Sequence, residues 1–335
     1  MGRENGDMRW PVSIQEPKQQ MISLLGLSNQ TRHHPKLAYE TEFGSMFWGF
    51  AEQLNDETFL HRYGGRVQLL LTSPPFPLIR KKRYGNLQGE EYVDWLASFA
   101  PLFKTLLAPR GSIVIEIGNA WETGRPVMSP LSLEALLGLL RGGPFNLCQQ
   151  FICYNHAKLP GPAEWVTIRR IRVKDAYTHI WWMSPSEYPH ANNRSVLAPY
   201  GPHMLRLLEV GKHNPGERPS GHSIGAKSFL KDNGGAIPSN VLEITNTVSH
   251  DRYLDYCRRH KLRVHPARMP SRVAEFFVKL LTVPSDLVLD PFAGSNVTGA
   301  VAENLGRKWV SVEPNRDYVL SSMGRFCEPH NLSIV

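Results

Sequence analysis

The segment Asp290-Pro291-Phe292-Ala293-Gly294-Ser295-Asn296-Val297-Thr298-Gly299 joins a predicted strand over 287–290 to a predicted helix over 297–305. Gly294 allows a ligand to approach the backbone closely, and the free N–H groups at the helix start suit polar ligand atoms. Glu313 ends the next predicted strand, 23 positions after Asp290, where a carboxylate can accept hydrogen bonds from a ribose. The loop lacks the full G-x-G-x-x-G of dinucleotide sites, which favours a nucleoside such as S-adenosylmethionine. An ordinary strand-to-helix turn is the alternative.

A second motif, Ser73-Pro74-Pro75-Phe76, follows a buried strand predicted over 67–71. Its two prolines cannot donate hydrogen bonds, so the turn offers backbone carbonyls and the Ser73 hydroxyl as acceptors, with Phe76 as a flat face. The exocyclic amine of a base needs such acceptors, because they favour a tetrahedral nitrogen whose lone pair can attack a sulfonium methyl group. Stacking on Phe76 would hold a base that is flipped out of a duplex. A proline-rich turn that merely ends a strand is the alternative, and the presence of both motifs disfavours it.

Strands and helices alternate around both motifs, which predicts an α/β fold. Apolar periodicity predicts helices over 90–107, 130–140, 271–281 and from 316, and strands over 112–117, 151–154, 180–183 and 309–313. The stretch from 184 to about 265 is rich in Pro, Gly, Asn and His, and residues 190–268 contain 12 Lys and Arg against 6 Asp and Glu. The predicted divisions are an N-terminal arm (1–35), a catalytic half (36–183), an inserted region (184–264) and a cofactor-binding half (265–335).

Composition indicates a globular protein, since 41% of the 335 residues are hydrophobic. The net charge of +8 suits a polyanionic partner, although many small-molecule enzymes are equally basic. Neither the 4 cysteines nor the 13 histidines have the spacing of metal ligands, so no metal is predicted and the thiols are expected to be free. No apolar run approaches the length that spans a membrane and no signal peptide is visible, so we expect a cytoplasmic protein.

The motifs together resemble the β-class amino-methyltransferases, in which the catalytic motif precedes the cofactor motif. Within that class the sequence is most similar to the PvuII-type DNA (cytosine-N4)-methyltransferases, from about residue 36 to residue 326. Besides the two motifs above, the shared segments include Arg80-Lys81-Lys82-Arg83-Tyr84-Gly85-Asn86-Leu87, Lys158-Leu159-Pro160, Arg170-Ile171-Arg172-Val173-Lys174-Asp175-Ala176, Arg218-Pro219-Ser220-Gly221-His222 and His265-Pro266-Ala267-Arg268.

The resemblance implies a Rossmann-like fold with a seven-stranded, mostly parallel sheet, helices on both faces, and a target-recognition region at 184–264. It implies methylation of cytosine N4 at a short specific site in double-stranded DNA, with S-adenosyl-L-methionine as the cofactor. The implied enzyme is a monomer, bound to the nucleoid of a bacterium through its DNA. It would act as the modification partner of a restriction endonuclease.

The motifs, the position of the basic run and the resemblance together assign expected roles to three groups of residues. The residues that would grip or line the pocket of the target base are Ser73, Pro74, Pro75, Phe76 and Glu116. The residues that would surround the cofactor are Asp290, Phe292, Gly294, Ser295, Asn296, Thr298 and Glu313, with His265 and Pro266 covering its methionine end. The residues that would contact DNA are Arg80, Lys81, Lys82, Arg83 and His222.

Three positions depart from the common pattern of the family. Phe50 follows Gly49 where the family usually has Asp, which removes one expected contact to adenine, and Glu116 stands where the PvuII-type enzymes have the shorter Asp. Asn296 replaces the commoner second glycine of the loop, as it does in the PvuII-type enzymes.

Several alternatives remain open from the sequence alone. The run Arg80 to Arg83 could be a solvated loop rather than a phosphate clamp. The same turn at Ser73 could serve adenine N6 or an RNA amine, and a DNA-binding module with a decayed catalytic core is the non-enzymatic alternative. Methylation at cytosine C5 is disfavoured, because none of the cysteines follows a proline.

Overall fold

The computed structural model describes residues 34–75, 89–245, 251–326 and 333–334. The strands in these ranges are β1 (Lys36–Glu40), β2 (Gly44–Trp48), β3 (Val67–Thr72), β4 (Leu107–Gly118), β5 (Ala120–Trp121), β6 (Met128–Ser129), β7 (Asn146–Tyr154), β8 (Tyr177–Ser184), β9 (Gly216–Glu217), β10 (Ser223–Ile224), β11 (Val241–Glu243), β12 (Leu287–Asp290), β13 (Lys308–Glu313) and β14 (Ser333–Ile334).

The α-helices are α1 (Glu57–Tyr63), α2 (Glu90–Ala97), α3 (Ala100–Leu106), α4 (Leu131–Gly142), α5 (Pro202–Val210), α6 (Arg252–Arg259), α7 (Ser271–Leu281), α8 (Val297–Asn304) and α9 (Arg316–Ser322). Short 3₁₀ turns cover Ala51–Asn55, Asn193–Val196 and Met323–Arg325, and a π-helical turn covers Glu164–Ile168. None of the helices within the described ranges combines the length and the apolar character that crossing a bilayer requires.

Ten described strands form the main sheet, in the order β11-β7-β8-β4-β3-β12-β13-β2-β1-β14. The seven strands from β7 to β2 are the mostly parallel sheet that the sequence predicted, and only β8 among them runs against its neighbours. The predicted count of seven strands is too low for the whole sheet. β11 extends it at one side, and β1 and β14 extend it at the other.

Hydrophobic clusters fill both faces of this sheet, as a doubly wound α/β fold requires. Helices α2, α3 and α4 pack on one face, and α7, α8 and α9 pack on the other. Strand β3 is buried on both sides, since Leu70 belongs to the first cluster while Leu69 and Leu71 belong to the second. Trp181 and Trp182 likewise face opposite clusters, which confirms that these neighbours lie on the two sides of one strand.

One helix differs from the sequence-based expectation. The single helix predicted over 90–107 is divided into α2 and α3, because Pro101 lacks the N–H that would continue the hydrogen-bond ladder. The stretch 184–264 lies partly outside the main sheet and partly within it. Its α5 and its β9–β10 hairpin lie outside the sheet, but β11 pairs with β7, and α6 packs against the 3₁₀ turn Met323–Arg325.

Candidate active site

The two sequence motifs meet where neighbouring parallel strands end. β12 pairs with β3, so Asp290 and Ser73 leave the sheet side by side. β4 pairs with the other side of β3, and Thr72 lies opposite Ile115, which puts Glu116 level with Ser73. Open α/β sheets bind ligands beyond the carboxyl ends of their strands. Residues 73–75, the described part of the proline turn, therefore share one candidate site with the glycine loop (residues 291–296).

A direct hydrogen bond joins the two motifs. Thr72 Oγ1 donates to Asp290 Oδ1 at 2.6 Å, and the Phe292 N–H donates to the same oxygen at 3.1 Å. Burial raises the pKa of the Asp290 carboxyl to about 6, and hydrogen bonds from Thr72 and Thr298 limit the increase. Because its partners lie inside the fold, Asp290 fixes the start of the glycine loop relative to Ser73.

Glu313 supports the glycine loop from the neighbouring strand β13. Its Oε2 accepts the Gly294 N–H at 2.8 Å, and its Oε1 accepts the Asn315 N–H at 2.9 Å. Glu313 is 7% exposed, and burial raises the pKa of its carboxyl to about 7, although the two backbone hydrogen bonds oppose this shift. A carboxylate offers about four lone-pair sites, so both oxygens can still accept hydrogen bonds from a ligand.

A pocket that is partly open to solvent lies beside Asp290 and the glycine loop, and Glu313 supports its wall from behind without lining it. Its wall is formed by Ser73, His265, Ala267, Arg268, Met269, Asp290, Phe292, Ala293, Gly294, Ser295, Val297 and Thr298. The wall thus combines the proline turn, the glycine loop and the segment that starts at His265. These three parts of the chain were predicted separately from the sequence, and the structure brings them together.

Gly294 has a φ of +53°, a left-handed conformation that favours glycine. A Cβ at this position would lie 3.0 Å from His265 Nε2, so the missing side chain also keeps the His265 ring close to the loop. The ring of Phe292 packs against Trp95 and Phe99, with centroids 5.4 Å away in both cases. Phe292 therefore anchors the glycine loop on α2 and on the turn that follows it.

Asn296 does not face the pocket, contrary to its predicted place among the residues around the cofactor. Its side chain is fully buried and caps α8, accepting from the Gly299 N–H at 3.1 Å and from Ser311 Oγ at 2.7 Å. Its amide nitrogen donates to the Tyr39 hydroxyl at 3.3 Å. Pro266 is exposed and does not line the pocket, although its neighbours His265 and Ala267 do.

Two residues that the sequence did not single out hold the pocket walls together. Arg325 donates to the backbone oxygen of Ser295 and, at 2.9 Å, to its hydroxyl. The guanidinium lies 4.4 Å from the centroid of the Tyr253 ring, and the Tyr253 hydroxyl accepts the His265 N–H at 2.9 Å. Tyr253 and Arg325 thus connect the glycine loop to the His265 segment. No local pattern marks them, since Arg325 lies 30 positions after Ser295.

Glu116 lies beside the proline turn and is 6% exposed. Its Oε1 accepts from Thr178 Oγ1 at 3.0 Å. Burial raises the pKa of its carboxyl to about 7, and the Thr178 hydroxyl and the Lys158 ammonium group partly offset this shift. Glu116 can therefore exchange a proton near neutral pH at the position predicted for the target base.

The remaining predicted site residues fall in two places. Phe76 and the run Arg80, Lys81, Lys82 and Arg83 lie outside the described residues. His222 is exposed beside β10, where its carbonyl accepts the Arg218 N–H at 2.8 Å and closes the turn of the β9–β10 hairpin. The hairpin is remote in sequence from both motifs.

The residues present fit S-adenosylmethionine. Glu313 is a buried acceptor at the end of β13, and Gly294 lines the pocket just before the start of α8. The wall contains no phosphate-binding G-x-G-x-x-G sequence, so a nucleoside fits it better than a dinucleotide. When bound, S-adenosylmethionine supplies an electrophilic sulfonium methyl group. The fold and the pocket define an α/β enzyme with a nucleoside cofactor site next to an acceptor-rich proline turn.

Comparisons with known proteins identify the family of this enzyme. A model of the DNA methylase family matches residues 67–323. Type II methyltransferase M.PvuII of Proteus hauseri is 45% identical over 304 residues, which are 89% of this chain and 88% of that protein. Type II methyltransferase M.BglII of Bacillus subtilis is 26% identical over 259 residues, or 76% of this chain and 61% of that protein.

Solved structures agree with these relatives. The structure of the PvuII DNA methyltransferase (cytosine-N4-specific) matches with a TM-score of 0.70 and 38% identity, covering 88% of this chain and 90% of that one. A protein of Thermus thermophilus, solved with S-adenosyl-L-methionine, shares the fold at a TM-score of 0.51 and 19% identity over 83% of this chain and 90% of that one. The chain belongs to the DNA methylase family, and S-adenosyl-L-methionine is its cofactor.

The raised pKa of Glu313 predicts that cofactor binding depends on pH. Ribose hydroxyls donate to an ionised carboxylate, so the cofactor should bind more tightly as the pH rises through about 7 and Glu313 loses its proton. Calorimetry between about pH 6 and pH 8, in buffers of different ionisation enthalpy, should show proton release on binding. The Glu313→Gln variant serves as the control, because it should remove this release. Equal release from both proteins would contradict a role for Glu313.

Proposed function

We propose that this enzyme transfers a methyl group from S-adenosylmethionine to N4 of cytosine at a short specific site in duplex DNA. One observation carries the proposal: Ser73 and the glycine loop line the same pocket, where the neighbouring strands β3 and β12 end. The similarity to M.PvuII, whose solved structure is described as cytosine-N4-specific, supports the choice of base.

The residues of this chain would act mainly by binding and orientation. The Ser73 hydroxyl and the carbonyl groups of the proline turn would accept hydrogen bonds from the two N–H groups of the target amine. These hydrogen bonds would turn the lone pair of the nitrogen toward the methyl group. Glu116 would line the base pocket, where its carboxyl can hold or release a proton near a pH of about 7. Phe76 would stack on the flipped base.

We further propose that the protein acts as a monomer on the DNA of the bacterial cytoplasm, as the modification enzyme of a restriction-modification system. The type II methyltransferases among its relatives support this role. The β9–β10 hairpin with His222, within the inserted stretch, is the proposed reader of the target sequence. Most of the hairpin is exposed, and it carries basic residues such as Arg218.

Transfer of a radioactive methyl group from S-adenosylmethionine tests this proposal against the RNA alternative. The purified protein should label duplex DNA that contains its site, and the label should be absent from RNA of the same sequence. A Gly294→Val variant, whose side chain would fill the cofactor pocket, serves as the negative control. Labelling of RNA in preference to DNA would overturn the proposal.

The basic run that follows the proline turn carries a further prediction. Replacing Arg80, Lys81, Lys82 and Arg83 by Ala should weaken DNA binding and reduce the slope of log K against log salt by about 0.9 for each phosphate that is no longer neutralised. The affinity for S-adenosylmethionine should stay unchanged, which calorimetry can check. An unaltered salt slope would show that these residues form only a solvated loop.

A further inference from the structure

The connection between β7 and β8 (residues 155–176, here the β7–β8 loop) has an unusual surface. It contains five Lys and Arg residues against two acidic residues. The five cations are Lys158, Arg169, Arg170, Arg172 and Lys174. It also exposes aliphatic side chains, with Leu159 83%, Ile168 68%, Ile171 51% and Val173 86% exposed. Such a mixture of cations and exposed aliphatic groups marks an interaction surface.

The loop lies at the carboxyl end of the parallel strands, beside the active site. It begins after Tyr154, where β7 ends parallel to β4, and it ends before Tyr177, where β8 begins. The next residue, Thr178, donates the 3.0 Å hydrogen bond to Glu116. A molecule that delivers a base to Glu116 therefore passes close to this loop.

Hydrogen bonds hold the loop in one shape. The guanidinium of Arg172 donates to the Pro126 carbonyl at 2.8 Å, and the ammonium group of Lys174 donates to the His156 carbonyl at 2.7 Å. The backbone N–H groups of Ile171 and Arg172 both donate to the Trp165 carbonyl, at 2.9 and 3.2 Å. The exposed side chains are thus presented by a defined surface, and these hydrogen bonds to neutral carbonyls leave the positive charges uncompensated.

Each of the two acids of the loop pairs with one of its five cations, and Asp175 lies 4.0 Å from the Lys158 ammonium group. Glu164 forms an ion pair with Arg169 at 2.8 Å, and Asp175 accepts from the Asn119 side chain at 2.7 Å. Arg170 makes no ion pair with any residue in the described ranges, and its φ of +55° is uncommon for a residue with a side chain. Left-handed residues of this kind persist where the surroundings determine them, and they are concentrated at functional sites.

We infer that the β7–β8 loop is a contact surface for duplex DNA next to the flipped base. Arg170 and Arg172 bind phosphates, and Leu159 and Val173 pack against sugars and base faces that flipping exposes. The excess of cations fits a polyanion, and the aliphatic groups fit the apolar surface of an opened base step. This inference rests on the proposed function, because it takes duplex DNA as the substrate.

The charged part of the surface is tested with the double variant Arg170→Gln and Arg172→Gln, which removes two charges but keeps hydrogen-bond donors. DNA affinity measured from about 50 to 200 mM salt should show a slope reduced by about 0.9 for each phosphate that the variant no longer neutralises. The matched control is Lys104→Gln with Arg141→Gln, two exposed cations before β4 and β7 at the opposite end of the strands. An equal slope in the wild type and the loop variant would overturn the inference.

The apolar part is tested with Leu159→Ser and Val173→Ser together. DNA affinity should fall several-fold at every salt concentration, with the salt slope unchanged, because the variant keeps every charge. Val283→Ser is the control, since Val283 is 48% exposed at the opposite end of the strands. Wild-type DNA affinity in the loop variant would contradict the inference and assign these side chains to another partner, such as a protein.

These outcomes separate the inference from the proposed function. If both loop variants bind and methylate DNA as the wild type does, the inference fails and the proposed function stands. If the wild type transfers no methyl group to duplex DNA, the proposed function fails, and the inference fails with it. Cofactor affinity, measured by calorimetry, should equal that of the wild type in all four variants, which shows that they are folded.

Discussion

Replacing Ser73 by alanine should lower the turnover number by about 100-fold, while the affinities for DNA and cofactor stay close to the wild-type values. The hydroxyl would accept a hydrogen bond from an N–H group of the target amine as the nitrogen becomes tetrahedral. Loss of the hydroxyl should therefore affect chiefly the transition state. Removing one preorganised hydrogen-bonding group of this kind costs about 10²–10³ in turnover in well-studied enzymes. Single-turnover kinetics with saturating DNA and cofactor measures the effect directly.

Ser195→Ala provides the matched control for Ser73→Ala. Ser195 is exposed and lies in the 3₁₀ turn Asn193–Val196, away from the pocket wall, so its removal should leave turnover unchanged. A Ser73→Ala enzyme with wild-type turnover would show that the proline turn acts without this hydroxyl. A large increase in the Kd for DNA, with normal turnover at saturation, would instead assign Ser73 to substrate binding.

Replacing Glu313 by alanine should weaken S-adenosylmethionine binding by about 1.5–3 kcal/mol, the range for the loss of hydrogen bonds to a charged group. This corresponds to an increase in Kd of roughly 10- to 150-fold. The loss of affinity has two sources. The variant lacks the hydrogen bond to the ribose, and it also lacks the acceptor of the Gly294 N–H, which Glu313 Oε2 provides at 2.8 Å. Calorimetry on the purified variant gives the affinity, and thermal unfolding shows whether the fold is kept.

Glu134→Ala is the control for the charge change. Glu134 is exposed in the first turn of α4, so its loss should leave the cofactor affinity unaltered. If Glu313→Ala binds S-adenosylmethionine as tightly as the wild type, the carboxylate does not hold the ribose. The pH dependence predicted for Glu313 would then also be absent.

The sequence predicted the elements whose pattern is local. The helix over 271–281 and the strand over 287–290 agree with α7 and β12, because their apolar periodicity is clear and uninterrupted. Asp290 and Glu313 were found in the same way, since each ends a buried strand beside the glycine loop. The pairing of parallel strands then brings both to one site.

Other features depend on tertiary contacts that a linear pattern does not contain. The Asn296 side chain points into the core because it forms hydrogen bonds with Ser311 and Tyr39, which belong to two different strands. Arg325 and Tyr253 brace the pocket from distant parts of the chain, and neither belongs to a recognisable motif. Strands β1 and β14 pair at the edge of the sheet, although they lie near opposite ends of the sequence. Loop motifs can therefore be read from the sequence, whereas the residues that support them require the structure.

The most direct test of the central claim is the identity of the methylated nucleoside. Duplex DNA from cells that express this chain, and from cells that express the Ser73→Ala variant, would be digested to nucleosides and separated by mass spectrometry. The account predicts N4-methylcytosine with the wild type and a strongly reduced amount with the variant. N6-methyladenine as the main product would contradict the assigned base, and 5-methylcytosine would contradict both the base position and the mechanism.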